Sequence, residues 1–184
     1  MNNPWESEEG KVVWKTEAQY WNWLRGALRK LWSDYPLRKV WKKNSLRPLT
    51  LEEKQSGKFH PSTKNVGECV FCKTVMAGSK LECDHVIESE GCTSKETAES
   101  FLWHCGGQTS VNFQLVCKPC HKIKSYSEAK GISFEEAVIE KKAIEICKGD
   151  EKSWITSKGF TPESNAKLRR KQVVEILTQE NNNA

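Results

Sequence analysis

The sequence predicts an α+β fold in which a small core of short strands is flanked by α-helices on both sides. Apolar residues recur at helical spacing near both ends of the chain. Residues 68–130 hold seven of the eight cysteines and three of the four histidines. Apolar and polar residues alternate over 111–116 as they do in a β-strand. Pro119, soon after them, suits the first turn of a helix. We therefore expect three regions: a basic, tryptophan-rich helical region with a linker at 1–67, a core at 68–130, and a helical region at 131–184.

Capping residues and prolines indicate where the helices begin and end. Thr16 and Gln19 indicate a capping box for a helix over about 17–33, and Pro36 stops its pattern. A second short helix is predicted over 37–43, whereas 44–67 has little periodicity and is predicted to be a linker. Three further helices are predicted to start at Thr93 with Glu96, at Ser133 with Glu136, and at Thr161 with Pro162.

Composition excludes several classes of protein. With 37% hydrophobic and 29% charged residues and no apolar run near the roughly 18 residues of a membrane span, the sequence predicts no membrane association. The N-terminus has neither a basic start nor an apolar stretch, so we expect a cytoplasmic protein. The formal charge of +5 favours a nucleic-acid partner only weakly, and the excess lies in residues 1–67, with 13 basic against 7 acidic side chains.

Two Cys-x-x-Cys pairs predict a structural metal site. They are separated by 44 residues and consist of Cys69 with Cys72 and Cys117 with Cys120. Four thiolates satisfy the closed tetrahedral coordination of structural Zn²⁺, and in a reducing compartment we favour zinc over buried free thiols. A thiol redox protein is a weaker hypothesis, because zinc ligation would occupy the reactive pairs. The other cysteines lack paired spacing and are predicted to be core thiols: Cys83, Cys92, Cys105 and Cys147.

Two segments that enclose an insertion carry a family resemblance. Residues 81–87 read Leu-Glu-Cys-Asp-His-Val-Ile, and residues 112–124 run from Asn112 to Lys124 with Cys-x-x-Cys-His inside them. Together they resemble the HNH endonuclease family, in which Asp-His ends one strand, Asn begins the next, and a final His lies on the following helix. The nine-residue step from Asn112 to His121 is typical of its zinc-knuckle branch. The resemblance covers about residues 68–130 and implies a ββα-metal (HNH) core with a structural zinc knuckle.

The resemblance also implies a role for each polar residue of the motif. It makes His85 the general base and Asp84 and His121 the ligands of a catalytic divalent ion, Mg²⁺ or another. It makes Asn112 the residue that orients His85, although in some branches the Asn position binds the metal instead. Because His121 directly follows a zinc ligand, the knuckle would fix the start of the helix that carries it.

Basic side chains are the expected contacts to double-stranded DNA. Lys124, three residues beyond His121, could contact a phosphate oxygen or could equally be a solvated lysine. Further candidates for phosphate contact are Lys122, Arg25, Arg29 and Lys30. The tryptophans of the N-terminal third are expected to pack against the domain more often than to stack on bases.

The expected function is that of a metal-dependent DNA endonuclease or nickase. The alternative is a noncatalytic zinc-binding module that holds nucleic acid or a protein partner. Residues 24–32 and 165–172 also look like the flanks of HNH proteins of tailed bacteriophages, which implies a bacterial host cytoplasm and phage DNA-processing proteins as candidate partners. The insertion at 91–110 is longer than in simpler members of the family. A single site per chain is compatible with nicking and, in a dimer, with cleavage of both strands.

Overall fold

The computed structural model describes residues 3–182 and combines helices with small antiparallel sheets. This confirms the mixed helix-and-strand architecture. The elements are α1 (Glu8–Val13), α2 (Glu17–Asp34), α3 (Pro36–Asn44), β1 (Arg47–Pro48), α4 (Leu51–Gln55), β2 (Asn65–Glu68), β3 (Val75–Ala77), β4 (Leu81–His85), α5 (Lys95–Gly106), β5 (Phe113–Cys117), α6 (Lys118–Lys130), α7 (Phe134–Ile146), α8 (Glu151–Ser157) and α9 (Ala166–Asn182). Within the described residues, no helix is both long and apolar enough to cross a membrane.

The chain forms two compact units, one ending at Lys118 and the other beginning at Pro119. The division lies in the first turn of α6, inside the region 68–130 that the sequence predicts to be the core. The five strands found among residues 3–182 belong to the first unit. The second unit consists of helices in the part of the chain that the structure describes.

Two antiparallel sheets form the centre of the first unit. The larger sheet has the order β1-β2-β3, and the smaller is the pair β4-β5. In the pair, Leu81 lies opposite Cys117 and His85 opposite Phe113. Asp84 and His85 therefore end β4 next to the point where β5 begins.

The predicted linker at 44–67 is structured, which corrects that prediction. It contains β1, α4 and most of β2, and Val66 is fully buried. The lack of a side chain at Gly67 allows β2 to pack closely against three leucine side chains. A Cβ atom there would lie 2.8–3.0 Å from side-chain carbons of Leu46, Leu81 and Leu115, which is closer than a real Cβ contact allows. Strands of two to four residues are too short to show periodicity in the sequence.

The helices α2 and α5 share an aromatic core in the first unit. Thr16 accepts a hydrogen bond from the backbone amide of Gln19, which confirms the predicted start of α2. The insertion folds as α5, but its cap is Ser94 with Thr97 rather than Thr93 with Glu96. The buried members of the core are Trp21, Cys92, Phe101 and Cys105.

The second unit has a separate apolar core. The capping box of Ser133 and Glu136 starts α7 as the sequence predicts. By contrast, α9 begins at Ala166 behind Asn165, whose side chain accepts from the Leu168 amide at 2.9 Å, so the predicted start at Thr161 was wrong. The sequence did not predict α8. The buried members of this core are Ala143, Ile155, Val173 and Ile176.

Replacing Ile155 with alanine should test how much α8 stabilises the second unit. The side chain is fully buried among residues of α7 and α9. Truncation leaves a cavity, so we expect the free energy of unfolding to fall by about 2–5 kcal/mol. Thermal and urea unfolding monitored by circular dichroism would measure the change. Leu168→Ala is the matched control, because Leu168 is 41% exposed, and an equal loss in both variants would contradict this account.

Candidate metal centre and histidine site

The first cysteine pair lies on a tight turn directly after β2. The Cys69 amide donates to the carbonyl of Thr74 at 3.1 Å, and the Lys73 amide donates to the carbonyl of Cys69 at 3.0 Å. Lys73 adopts the left-handed conformation, with φ of 55°, which is uncommon for a residue other than glycine. The turn therefore holds Cys69 and Cys72 on one loop.

The second cysteine pair joins β5 to α6. Cys117 is the last residue of β5, and Cys120 lies in the first turn of α6. The Cys117 amide donates to the Sγ atom of Cys69 at 3.3 Å. This hydrogen bond joins the backbone of the second pair to a sulfur atom of the first.

The sulfur atoms of the two pairs converge on one point. All four ligand atoms lie within 4.8 Å of one another, and Cys72 Sγ lies 4.0 Å from Cys117 Sγ. Tetrahedral zinc with Zn–S bonds of 2.3 Å requires sulfurs about 3.8 Å apart. The donor set and the spacing therefore fit a metal ion such as zinc. The cluster consists of Cys69, Cys72, Cys117 and Cys120.

The four remaining cysteines are free thiols away from this cluster. Burial raises the pKa of Cys83 to about 11. Burial also raises the pKa of Cys92, Cys105 and Cys147. A thiol with a raised pKa is a poor nucleophile at neutral pH. These environments support the prediction of core thiols.

Three polar residues of the predicted site lie together at one end of the β4-β5 pair. Asp84, His85 and Asn112 are each buried, with 7–9% of their surface exposed. Gln114, opposite Asp84 in the strand register, donates to Asp84 Oδ2 at 3.0 Å and to the carbonyl of His85 at 2.9 Å. One amide side chain thus fixes both the carboxylate and the backbone beside the histidine.

Asn112 holds the segment that leaves β4. Its Oδ1 atom accepts from the Ile87 amide at 2.7 Å, and its carbonyl accepts from the Val86 amide at 3.0 Å. Its Nδ2 atom donates to Gln108 Oε1 at 2.8 Å. The first two bonds fix the backbone immediately after His85, and the third orients the Asn112 amide. Asn112 can therefore influence the orientation of the histidine through the main chain.

The imidazole of His85 is covered by two other rings. Its centroid lies 3.8 Å from the Trp32 ring of α2 and 3.7 Å from the His104 ring of α5. The Phe113 ring is arranged edge-on to the imidazole, with 6.2 Å between the two ring centroids. Sequence reasoning did not place Trp32, His104 or Gln114 at the site. Only the strand register could have pointed to Gln114, and no local pattern signals the other two.

The predicted residues of α6 differ in exposure. His121 directly follows Cys120 and is half-buried, and Lys122 is exposed. Lys124 is only 9% exposed, and its ammonium group forms an ion pair with Glu128 one turn further along. A phosphate would have to compete with Glu128 for Lys124, and the burial of this side chain contradicts the alternative of a solvated lysine.

The basic residues of α2 differ in exposure. Arg29 and Lys30 are exposed, and the half-buried Arg25 donates to Asn22. Burial raises the pKa of Cys92 and Cys105, and the positive charges of Arg25 and Arg29 oppose this effect at Cys92 and Cys105, respectively. Lys30 borders a largely apolar cavity of about 490 Å³, together with Leu31, Tyr35, Leu102 and Trp103.

Comparison with known proteins finds no relative of this chain. No family model, no curated protein and no solved structure matches this chain.

Proposed function

We propose that the protein is a metal-dependent DNA endonuclease or nickase of the HNH type. One observation carries the proposal: Asp84 and His85 end β4 beside Asn112, which precedes β5, and the chain then runs through the cysteine pair to His121. The residues occur in the order that the resemblance requires. The two strands and the following helix also occur in the order β4, β5, α6.

In this proposal His85 is the general base. It removes a proton from water, and the water oxygen attacks phosphorus while the 3′ oxygen leaves, so that the product carries a 5′ phosphate. An imidazole suits this step because its pKa lies close to neutral pH. Gln114 donates to the carbonyl of this histidine and Asn112 accepts from the Ile87 amide, so both residues fix the backbone that leaves it.

Asp84 and His121 are the proposed ligands of the catalytic divalent ion. A carboxylate and an imidazole suit such ions. The ion would stabilise negative charge on the phosphate and the leaving oxygen. Gln114 donates to one carboxylate oxygen of Asp84, which limits rotation of the carboxylate. Cys120, next to His121, would tie the zinc knuckle to the position of this ligand.

Double-stranded DNA is the proposed substrate. The exposed side chains of Arg29, Lys30 and Lys122 are available to phosphates. Such contacts position the duplex without reading its sequence.

A plasmid-nicking assay tests the proposal. Supercoiled plasmid is incubated with the purified protein and Mg²⁺, Mn²⁺, Ni²⁺ or Zn²⁺ in turn, with EDTA as the metal-free control. We expect conversion to open circles with at least one ion and none with EDTA, and ligation of the nick by DNA ligase would establish the 5′ phosphate. Binding of the duplex without cutting under all ions would instead support the noncatalytic zinc-binding module.

A further inference from the structure

We infer that Trp32 and His104 are positioning residues that clamp the imidazole of His85. The inference rests on the proposed nuclease function, in which His85 is the general base. Neither residue belongs to the motif that predicted the site. Trp32 comes from α2 and His104 from the insertion, so helices on both sides of β4 in the sequence contribute to the clamp.

The two rings cover opposite faces of His85. Their centroids lie 3.8 and 3.7 Å from its own, with interplanar angles of 31° and 40°. Two rings at such distances cannot lie on the same face of a third ring without overlapping each other. The imidazole is therefore enclosed between them.

Trp32 and His104 are each held in place by a further residue. The Arg38 guanidinium lies 4.9 Å from the Trp32 ring, and Arg38 also donates to the carbonyl of Ser33 at 3.2 Å. The ring of His104 is stacked with Phe101, a buried residue of the aromatic core, at 6.4 Å and 23°. Rotation of the His85 ring about its Cβ–Cγ bond would require one of these packed groups to move.

This arrangement has a catalytic consequence. A general base works only when its nitrogen lies within hydrogen-bond reach of the water it activates. Displacement of such a group by about 1 Å can cost on the order of 100-fold in rate. The clamp would keep the nitrogen in place before the substrate binds. The conformational entropy of the ring would then be lost during folding and not during catalysis.

The test compares removal of the His104 ring with its replacement by another planar ring. In His104→Ala one face of His85 is uncovered, whereas His104→Phe keeps a planar ring. We expect the alanine variant to lose about 10- to 100-fold in kcat for plasmid nicking with KM unchanged, and the phenylalanine variant to recover most of that loss. Trp32→Ala and Trp32→Phe should differ in the same direction. Zinc content and thermal unfolding would show that each variant is folded.

Leu102→Ala is the matched control on α5, because Leu102 is 43% exposed and outside the site. Proton NMR gives a readout that does not depend on cleavage. Stacked rings shift the His85 ring protons upfield, and His104→Ala should move them back, whereas Leu102→Ala should not. Unchanged His85 shifts in the His104→Ala protein, or an unchanged kcat, would overturn the clamp. A wild-type protein that never cuts would overturn the nuclease proposal, and the shifts would still decide whether the ring is clamped.

Discussion

Replacing Cys69 with serine is expected to release the bound metal and to destabilise the folded chain. Cys69 is fully buried, and its sulfur accepts the amide of Cys117. A metal ion held by the four cysteines would tie the turn after β2 to the end of β5 and the start of α6. Structural zinc sites contribute about 10–16 kcal/mol of apparent binding free energy in small zinc proteins at neutral pH. Loss of one ligand should therefore cost more stability than truncation of any single apolar side chain.

Elemental analysis and thermal unfolding would measure both effects. The wild-type protein should carry about one zinc per chain, and the Cys69→Ser protein should carry almost none and unfold at a much lower temperature. Cys147→Ser is the matched control, because Cys147 is a half-buried free thiol of the second unit, outside the cluster. A Cys69→Ser protein with wild-type zinc content and melting temperature would refute the metal site.

Replacing His85 with glutamine is expected to abolish cleavage without removing zinc. Glutamine keeps a planar polar group between Trp32 and His104 but cannot take up a proton at neutral pH. General acid–base catalysis contributes about 10²–10⁴-fold to rate, and we expect a loss of this size. The initial rate of supercoiled plasmid loss would measure it, with zinc content and DNA binding determined on the same samples.

His60→Gln is the matched control for this experiment. His60 lies on an exposed loop, where its Nδ1 atom is 2.7 Å from Ser62 Oγ, and it belongs to no part of the proposed site. Its replacement should leave the rate unchanged. If His85→Gln cuts as fast as wild type with several divalent ions, His85 is not the base and the proposed mechanism is wrong.

The sequence predicted the parts of the site that depend on local spacing. The two Cys-x-x-Cys pairs come together as sulfurs within 4.8 Å. The strand ends at Asp84 and Asn112 are also close, because the β4-β5 register aligns them. The spacing inside each Cys-x-x-Cys pair and the alternation along each strand are set within a few residues of chain, and there they leave a recognisable pattern.

The features that the sequence did not predict depend on distant contacts. Trp32 and His85 are separated by 53 positions, and the Tyr35 hydroxyl donates to the carbonyl of Gln108 across 73 positions. Such pairs form only when whole helices pack, so no spacing rule indicates them. Helix α8 was missed because seven residues are too few to show a helical period clearly.

The register of β4 and β5 also determines where the chain can change in length. Side chains alternate between the faces of a strand, so adding one residue inside β5 would turn Gln114 away from Asp84 and alter the span to Cys117. About 14 Å of paired strand separates the histidine end from the cysteine end. The 26 residues between His85 and Asn112 are under no such constraint. Related chains could lengthen or shorten this segment and keep the four-cysteine cluster intact. A chain that lost α5 in this way would have to cover the second face of the histidine ring with another residue.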